Sequence, residues 1–150
     1  MKNSSGFTLV EVLIAMLVLA TGLLGLAGLQ ATSLGNNLSA YNRSQATQFV
    51  YDLADRIRAN SSALDTYSTI APADAVENQD CLITTGCSPA DMAQQDLFEW
   101  NRMLESALPN NNVTIVTAPG GMITITISWD ENRDGTIDVD DPNFQTSFRL

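Results

Sequence analysis

Gly6-Phe7-Thr8-Leu9-Val10-Glu11-Val12-Leu13-Ile14-Ala15-Met16-Leu17-Val18-Leu19-Ala20 opens an apolar run that reaches Leu29, and Glu11 is its only ionisable side chain. Wound as an α-helix, residues 7–29 rise about 34 Å, enough to cross a hydrocarbon core of about 30 Å. A cleavable secretory peptide has an apolar region of about 7–15 residues, followed by a small-residue cleavage site. This run is longer, and its far end, Leu29-Gln30-Ala31-Thr32-Ser33, leads into sequence that can continue the helix. Ahead of it stands Met1-Lys2-Asn3-Ser4-Ser5-Gly6, polar, with one lysine and no acid. Lys2 and the free amine favour a cytoplasmic N-terminus, which puts everything after Leu29 on the outer side of the membrane.

Glu11 is the costly residue. A carboxylate at mid-bilayer costs about 2.5–3.5 kcal/mol, and one near a helix end costs less. Snorkelling to the headgroups would relieve that cost, and so would a cationic partner in an assembled state. The short basic leader, Gly6, Phe7 and Glu11, followed by an unbroken apolar helix, resemble the class III signal of type IV pilins and related pseudopilins. That resemblance implies cleavage between Gly6 and Phe7 by a prepilin peptidase, and N-methylation of the new terminal Phe7. It further implies that Glu11 neutralises the Phe7 amine of an adjacent subunit as helices stack. Two charges that are costly alone in an apolar bundle become tolerable when paired. N-methylation leaves the amine cationic, so the pair survives modification.

Net charge is -10, from seven Lys or Arg against seventeen Asp or Glu, with no His. No basic stripe exists to neutralise phosphates, which argues against nucleic acid and against anionic lipid as partners of the soluble part. Without histidine the usual general base and the commonest zinc ligand are missing, and no nucleophile motif is present, so an enzyme is not expected. Cys81 and Cys87 flank Leu-Ile-Thr-Thr-Gly. In a reducing cytosol they would be free thiols or a metal pair; outside the membrane a small disulfide ring is expected, worth about 2–2.5 kcal/mol by loop entropy.

Gly22, Gly25 and Gly28 put small residues along the membrane helix, either for close helix packing or as a locally weak stretch. No proline precedes Pro72. Leu34, Leu38, Tyr41, Ala46, Phe49 and Val50 recur at helical spacing and continue through Leu53 and Ile57, which predicts one helix from about Phe7 to Arg58 or Asn60. Residues 61–88 read as loop. Ser88-Pro89-Ala90-Asp91 marks a helix start, with Met92, Leu97, Trp100, Leu104 and Leu108 on one face as far as Pro109. Val113–Thr117 and the alternation Ile123, Ile125, Ile127, Trp129 read as a hairpin about Pro119-Gly120-Gly121, and Phe144–Leu150 as a last strand. The expected fold is α+β and pilin-like, a long N-terminal helix on a small antiparallel sheet with one further helix. Its parts are a leader over 1–6, a membrane or filament-core half over 7–29, and a globular domain over 30–150, with the sheet in 113–150. The Arg43–Ala46 and Asp52–Asn60 stretches resemble PilV-type minor pilins. This implies other pilins and minor pilins as partners, and an adhesin-like protein at a filament tip.

Asp130-Glu131-Asn132-Arg133-Asp134-Gly135-Thr136-Ile137-Asp138-Val139-Asp140-Asp141 fits a calcium-loop pattern. Oxygen donors fall at Asp130, Asn132, Asp134, Asp138 and Asp141, with the Thr136 carbonyl between them. Gly135 would give the turn, and Ile137 would pin the loop to the core. Asp141 stands where an EF-hand has glutamate, as in dockerin-type repeats, and no EF-hand helix precedes the loop. The pilin resemblance admits a pseudopilin of a type II secretion system as a rival. A chain that is never processed would instead be a membrane-anchored calcium-binding module.

Overall fold

A computed structural model describes residues 8–83 and 86–150. Gly6 and Phe7, the expected cleavage and methylation positions, lie outside the described residues. Three α-helices and three strands follow in the order α1 (Leu9–Ala59), α2 (Leu64–Thr69), α3 (Pro89–Ala107), β1 (Asn111–Ala118), β2 (Met122–Trp129) and β3 (Asn143–Arg149). The chain divides into two units at Ala40 and Tyr41.

The first unit is the leading part of α1. Its large apolar side chains face outward, with Leu9 77% and Leu24 74% exposed. α1 is long and apolar enough to cross a membrane. Two of its threonine hydroxyls bond back to the helix, as a hydrocarbon setting favours. The Thr21 hydroxyl donates to the Val18 carbonyl at 2.9 Å and that of Thr32 to the Gly28 carbonyl at 3.2 Å.

The second unit is built on one apolar cluster. Ala46, Val50, Leu53 and Ile57 of α1 enter it at three- and four-residue spacing, together with Leu97, Trp100 and Leu104 of α3. β2 is the middle strand, antiparallel to β1 and β3, in the order β1-β2-β3. Its alternation is complete: Ile123, Ile125, Ile127 and Trp129 are all buried. The β1–β2 turn is Pro119-Gly120-Gly121, with φ of 90° and 75° at the two glycines, a backbone that side chains disfavour.

Three expectations are corrected. The helical spacing puts Leu34, Leu38 and Tyr41 in line with Ala46, Val50 and Leu53, but all three are exposed, and burial along α1 begins at Asn42. Periodicity marks a face; it does not say how far along the helix other elements reach. On α3, Met92 is outside the core and Ala93 is inside. Ala93 lies four residues before Leu97, one helical turn on the same side, whereas Met92 lies five before and is rotated away. Residues 61–88 are also not all loop, since α2 and short 3-10 turns occupy parts of them. α2 brings Tyr67 fully into the core.

Candidate functional site

α1 starts at a built cap. The Glu11 N–H meets the Thr8 hydroxyl at 3.3 Å and the Thr8 carbonyl at 3.1 Å, and the Val12 N–H meets the same carbonyl at 3.3 Å. Thr8-Leu9-Val10-Glu11 therefore has the sequence spacing of a capping box, with Thr8 as N-cap and Glu11 at the third helical position. The Glu11 carboxylate sits in the first turn, where the partial positive charge of the helix end favours an anion. The sequence expectation for Glu11 is a residue awaiting a cation, and Thr8 is no part of it. The threonine–glutamate spacing was the available signal.

The acidic loop leaves β2 and returns to β3. Asp130 and Asp141, at its two ends, are 3% and 8% exposed. Asp130 turns inward: one carboxylate oxygen accepts the Asp134 N–H at 3.2 Å and the other the Gly135 N–H at 2.9 Å. Asn132 Oδ1 also accepts the Asp134 N–H, at 2.9 Å. Asp134 Oδ1 accepts from both the Thr136 N–H and the Thr136 hydroxyl, at 2.9 and 2.8 Å. Those Thr136 bonds hold the Asp134 carboxyl below the ordinary aspartate range. Asp141 accepts from the Glu131 and Asp138 N–H groups, closing the loop on itself. Gly135 has φ 93°, which explains the glycine.

Ile137 is half-buried and outside the apolar core, so it is not the expected pin. Glu131 fastens the loop instead. Its Oε2 accepts the Trp129 indole N–H at 2.6 Å and the Asn42 side-chain amide at 3.0 Å, with Asn42 buried on α1. The donor types suit a hard divalent cation such as calcium. Their arrangement does not close around one: among the described residues, no three acidic or cysteine side chains are gathered closely enough to hold a metal ion. The carboxylates of Asp130, Asp134, Asp138 and Asp141 are engaged with backbone N–H groups of the loop.

Cys81 and Cys87 are joined, with a Cα separation of 4.8 Å. A separate charged cluster ties three helices together. Arg56 of α1 pairs with Asp52 at 3.3 Å and with Asp96 of α3 at 3.0 Å, and the other Asp96 oxygen accepts the Tyr67 hydroxyl of α2. Burial pushes the Tyr67 phenol up, and Asp96 pushes it further. For Arg56 burial acts downward, but the carboxylates of Asp52 and Asp96 outweigh it and raise the guanidinium. Each group here is matched by a neighbour, so the cluster reads as a structural tie.

A family model for a prokaryotic N-terminal methylation motif matches residues 1–27, and one for the type IV pilin Tt1218 matches residues 28–98. This chain belongs to the type IV pilin family. No curated protein and no solved structure matches it. For this pilin the methylation motif covers the capped start of α1, and the second match covers the rest of α1, α2, the disulfide ring and much of α3. The motif implies processing by a prepilin peptidase and association with other pilin subunits. It fits, with the apolar helix, a membrane-anchored precursor that later assembles. Type IV pilins are structural proteins. Both matches end before the acidic loop, which is a feature of this chain outside the matched residues.

Proposed function

We propose that this pilin is a minor pilin of the PilV type, incorporated into or priming a type IV pilus and supporting adhesion or twitching motility. The filament-subunit part of the reading is carried by Glu11 in the first turn of an uninterrupted apolar helix inside a methylation-motif match, and the PilV-type part by the resemblance of the Arg43–Ala46 and Asp52–Asn60 stretches. The precursor sits in the bacterial inner membrane with its N-terminus cytoplasmic and its globular domain periplasmic. Cleavage after Gly6 and methylation of Phe7 prepare it, and Glu11 then neutralises the Phe7 amine of a neighbouring subunit as the helix leaves the bilayer. Other minor pilins and an adhesin-like protein at the tip are its expected partners, and nucleic acid is not. Mass spectrometry of the mature N-terminus tests the reading: methyl-Phe7 supports it, and retained Met1 would sink it. Loss of twitching in a deletion strain, with secretion intact, separates a pilus subunit from a secretion pseudopilin.

The acidic loop supports a second reading alongside the first. Asp130, Asn132, Asp134, Thr136, Asp138 and Asp141 keep the order and donor types of a calcium loop, and Gly135 has the positive φ that such a turn needs. Calcium would have to draw the carboxylates from their backbone partners toward one centre. A ligand held only by the folded state at a hundredfold excess over Kd adds about 2.7 kcal/mol. Melting of the parent chain should therefore rise in calcium and fall in chelator; equal melting in both would dismiss the ion.

A further inference from the structure

Asp134 is the only Asp or Asn in the chain that precedes a glycine. Such a pair can rearrange, because no side chain keeps the glycine nitrogen from the aspartate carboxyl. The nitrogen attacks Cγ, and one carboxyl oxygen leaves as water, its protons drawn from the amide and the carboxyl. Water then opens the resulting five-membered succinimide at either carbonyl. Opening at the backbone carbonyl sends the chain through the side-chain carboxyl, one methylene longer. The loop keeps this pair exposed to water. Exchanging the glycine is no escape, since Gly135 has φ 93°, a backbone that side chains disfavour.

Both reacting groups are engaged elsewhere. The Gly135 N–H donates to Asp130 Oδ2 at 2.9 Å, and the other Asp130 oxygen accepts the Asp134 N–H at 3.2 Å. Asp130 is only 3% exposed, so this acceptor is fixed by burial. To attack, the Gly135 nitrogen has to leave that bond. The negative charge it gains on losing its proton is also repelled by the carboxylate beside it. Asp134 is held from the other side. Its Oδ1 accepts the Thr136 N–H at 2.9 Å and the Thr136 hydroxyl at 2.8 Å, and its Oδ2 accepts the Asn132 side-chain amide at 3.1 Å. Ring closure removes one of these oxygens.

We propose that the Asp134–Gly135 peptide is a site of aspartate isomerisation that the folded loop suppresses, with Asp130 as its guard. Rearrangement proceeds from molecules whose loop has opened, so its rate follows the population of that open form. The isomerised chain, one methylene longer, cannot keep both the Asp130 bond to Gly135 and the Asp134 bonds to Thr136. Ageing at this one position therefore loosens the connection between β2 and β3. The guard needs no metal ion, because every bond in it is made by the loop's own residues.

The test ages the full chain in detergent micelles at neutral pH with chelator present, folded or unfolded in urea. Peptide mapping by mass spectrometry measures the β-linked residue at position 134. The folded chain should isomerise at least about tenfold more slowly, the protection given by about 1.4 kcal/mol of hydrogen bonding to a charged group. Asp130→Asn keeps the side chain's shape but offers one carbonyl oxygen to two N–H groups and carries no charge. Folded, as checked by near-UV circular dichroism, it should regain most of that tenfold. Hydrogen exchange in the parent chain reads the guard without any variant, and the Gly135 N–H should be protected despite its exposure. Equal rates in the folded and unfolded chain overturn the proposal. An unprotected Gly135 N–H removes Asp130 as guard, and slower isomerisation in Asp130→Asn would make Asp130 a base that promotes the attack.

Discussion

The Trp100 indole donates to the backbone carbonyl of Phe49 at 2.9 Å, while the Phe49 ring meets the Trp100 ring edge to face with centroids 6.0 Å apart. Trp100 therefore joins α3 to α1 twice, through a polar bond and through ring packing, at a fully buried position. Trp100→Phe keeps most of the packing and loses the donor, and should cost about 1–2 kcal/mol. Trp100→Ala should cost about 3–5 kcal/mol through the cavity left behind. Denaturant unfolding of the full chain in micelles measures both, and equal costs would show that the hydrogen bond, not the ring, dominates.

Glu11 has two candidate roles, pairing with a terminal amine and serving the helix cap with Thr8. Glu11→Ala should still be cleaved yet assemble poorly. Glu11→Gln separates the roles, because glutamine satisfies a capping box but carries no charge. If pairing dominates, Gln assembles as poorly as Ala, at a loss on the order of 3–5 kcal/mol for an unpaired charge in an apolar bundle. Immunoblots of sheared filaments against whole cells read the outcome; normal incorporation of Glu11→Ala would refute the pairing.

The disulfide closes a ring between Cys81 and Cys87. Cys81→Ser with Cys87→Ser should lower stability by about 2–2.5 kcal/mol, as expected for so short a loop. The fold itself should survive, because neither cysteine belongs to the core cluster. Loss of all cooperative unfolding in that variant would contradict this.

Asp134 is held below the ordinary aspartate range by the Thr136 hydroxyl and N–H, and it is fully exposed. A folded value below the unfolded one stabilises at pH above the ordinary range, and that contribution disappears as pH falls through the depressed value. Thr136→Val removes the hydroxyl, so the Asp134 carboxyl should move up toward ordinary. An NMR titration of its Cγ reads the shift, and an unmoved midpoint would assign the depression to the backbone bond alone.

Asp134→Ala also bears on calcium. It should lower the melting temperature more in calcium-containing buffer than in chelator, where only bonds within the loop are lost. An identical drop in both buffers would place Asp134 in a purely internal turn.

Much of this was legible in sequence because it depends on local periodicity. The β2 alternation of Ile123, Ile125, Ile127 and Trp129 needed only the two-residue repeat of a strand, and Ser88-Pro89 marked the start of α3 through cap chemistry that spans three residues. The Ser88 hydroxyl accepts the Asp91 N–H at 3.2 Å, as that spacing implied. The glycine at position 135 likewise announced its positive φ.

What the sequence could not carry was reach. Leu34, Leu38 and Tyr41 share the helical spacing of Ala46, Val50 and Leu53, yet they are exposed and burial along α1 begins at Asn42. Glu131 read as one more acid in an acidic run. Only the tertiary structure brought it under Trp129 and Asn42, a residue 89 positions away. The sequence by itself determined the apolar helix, its glutamate and the strands, since each follows from neighbouring residues and the chain's own repeat. Tertiary structure decided where α1 becomes buried and which residue fastens the acidic loop, since these depend on contacts between segments far apart in the chain.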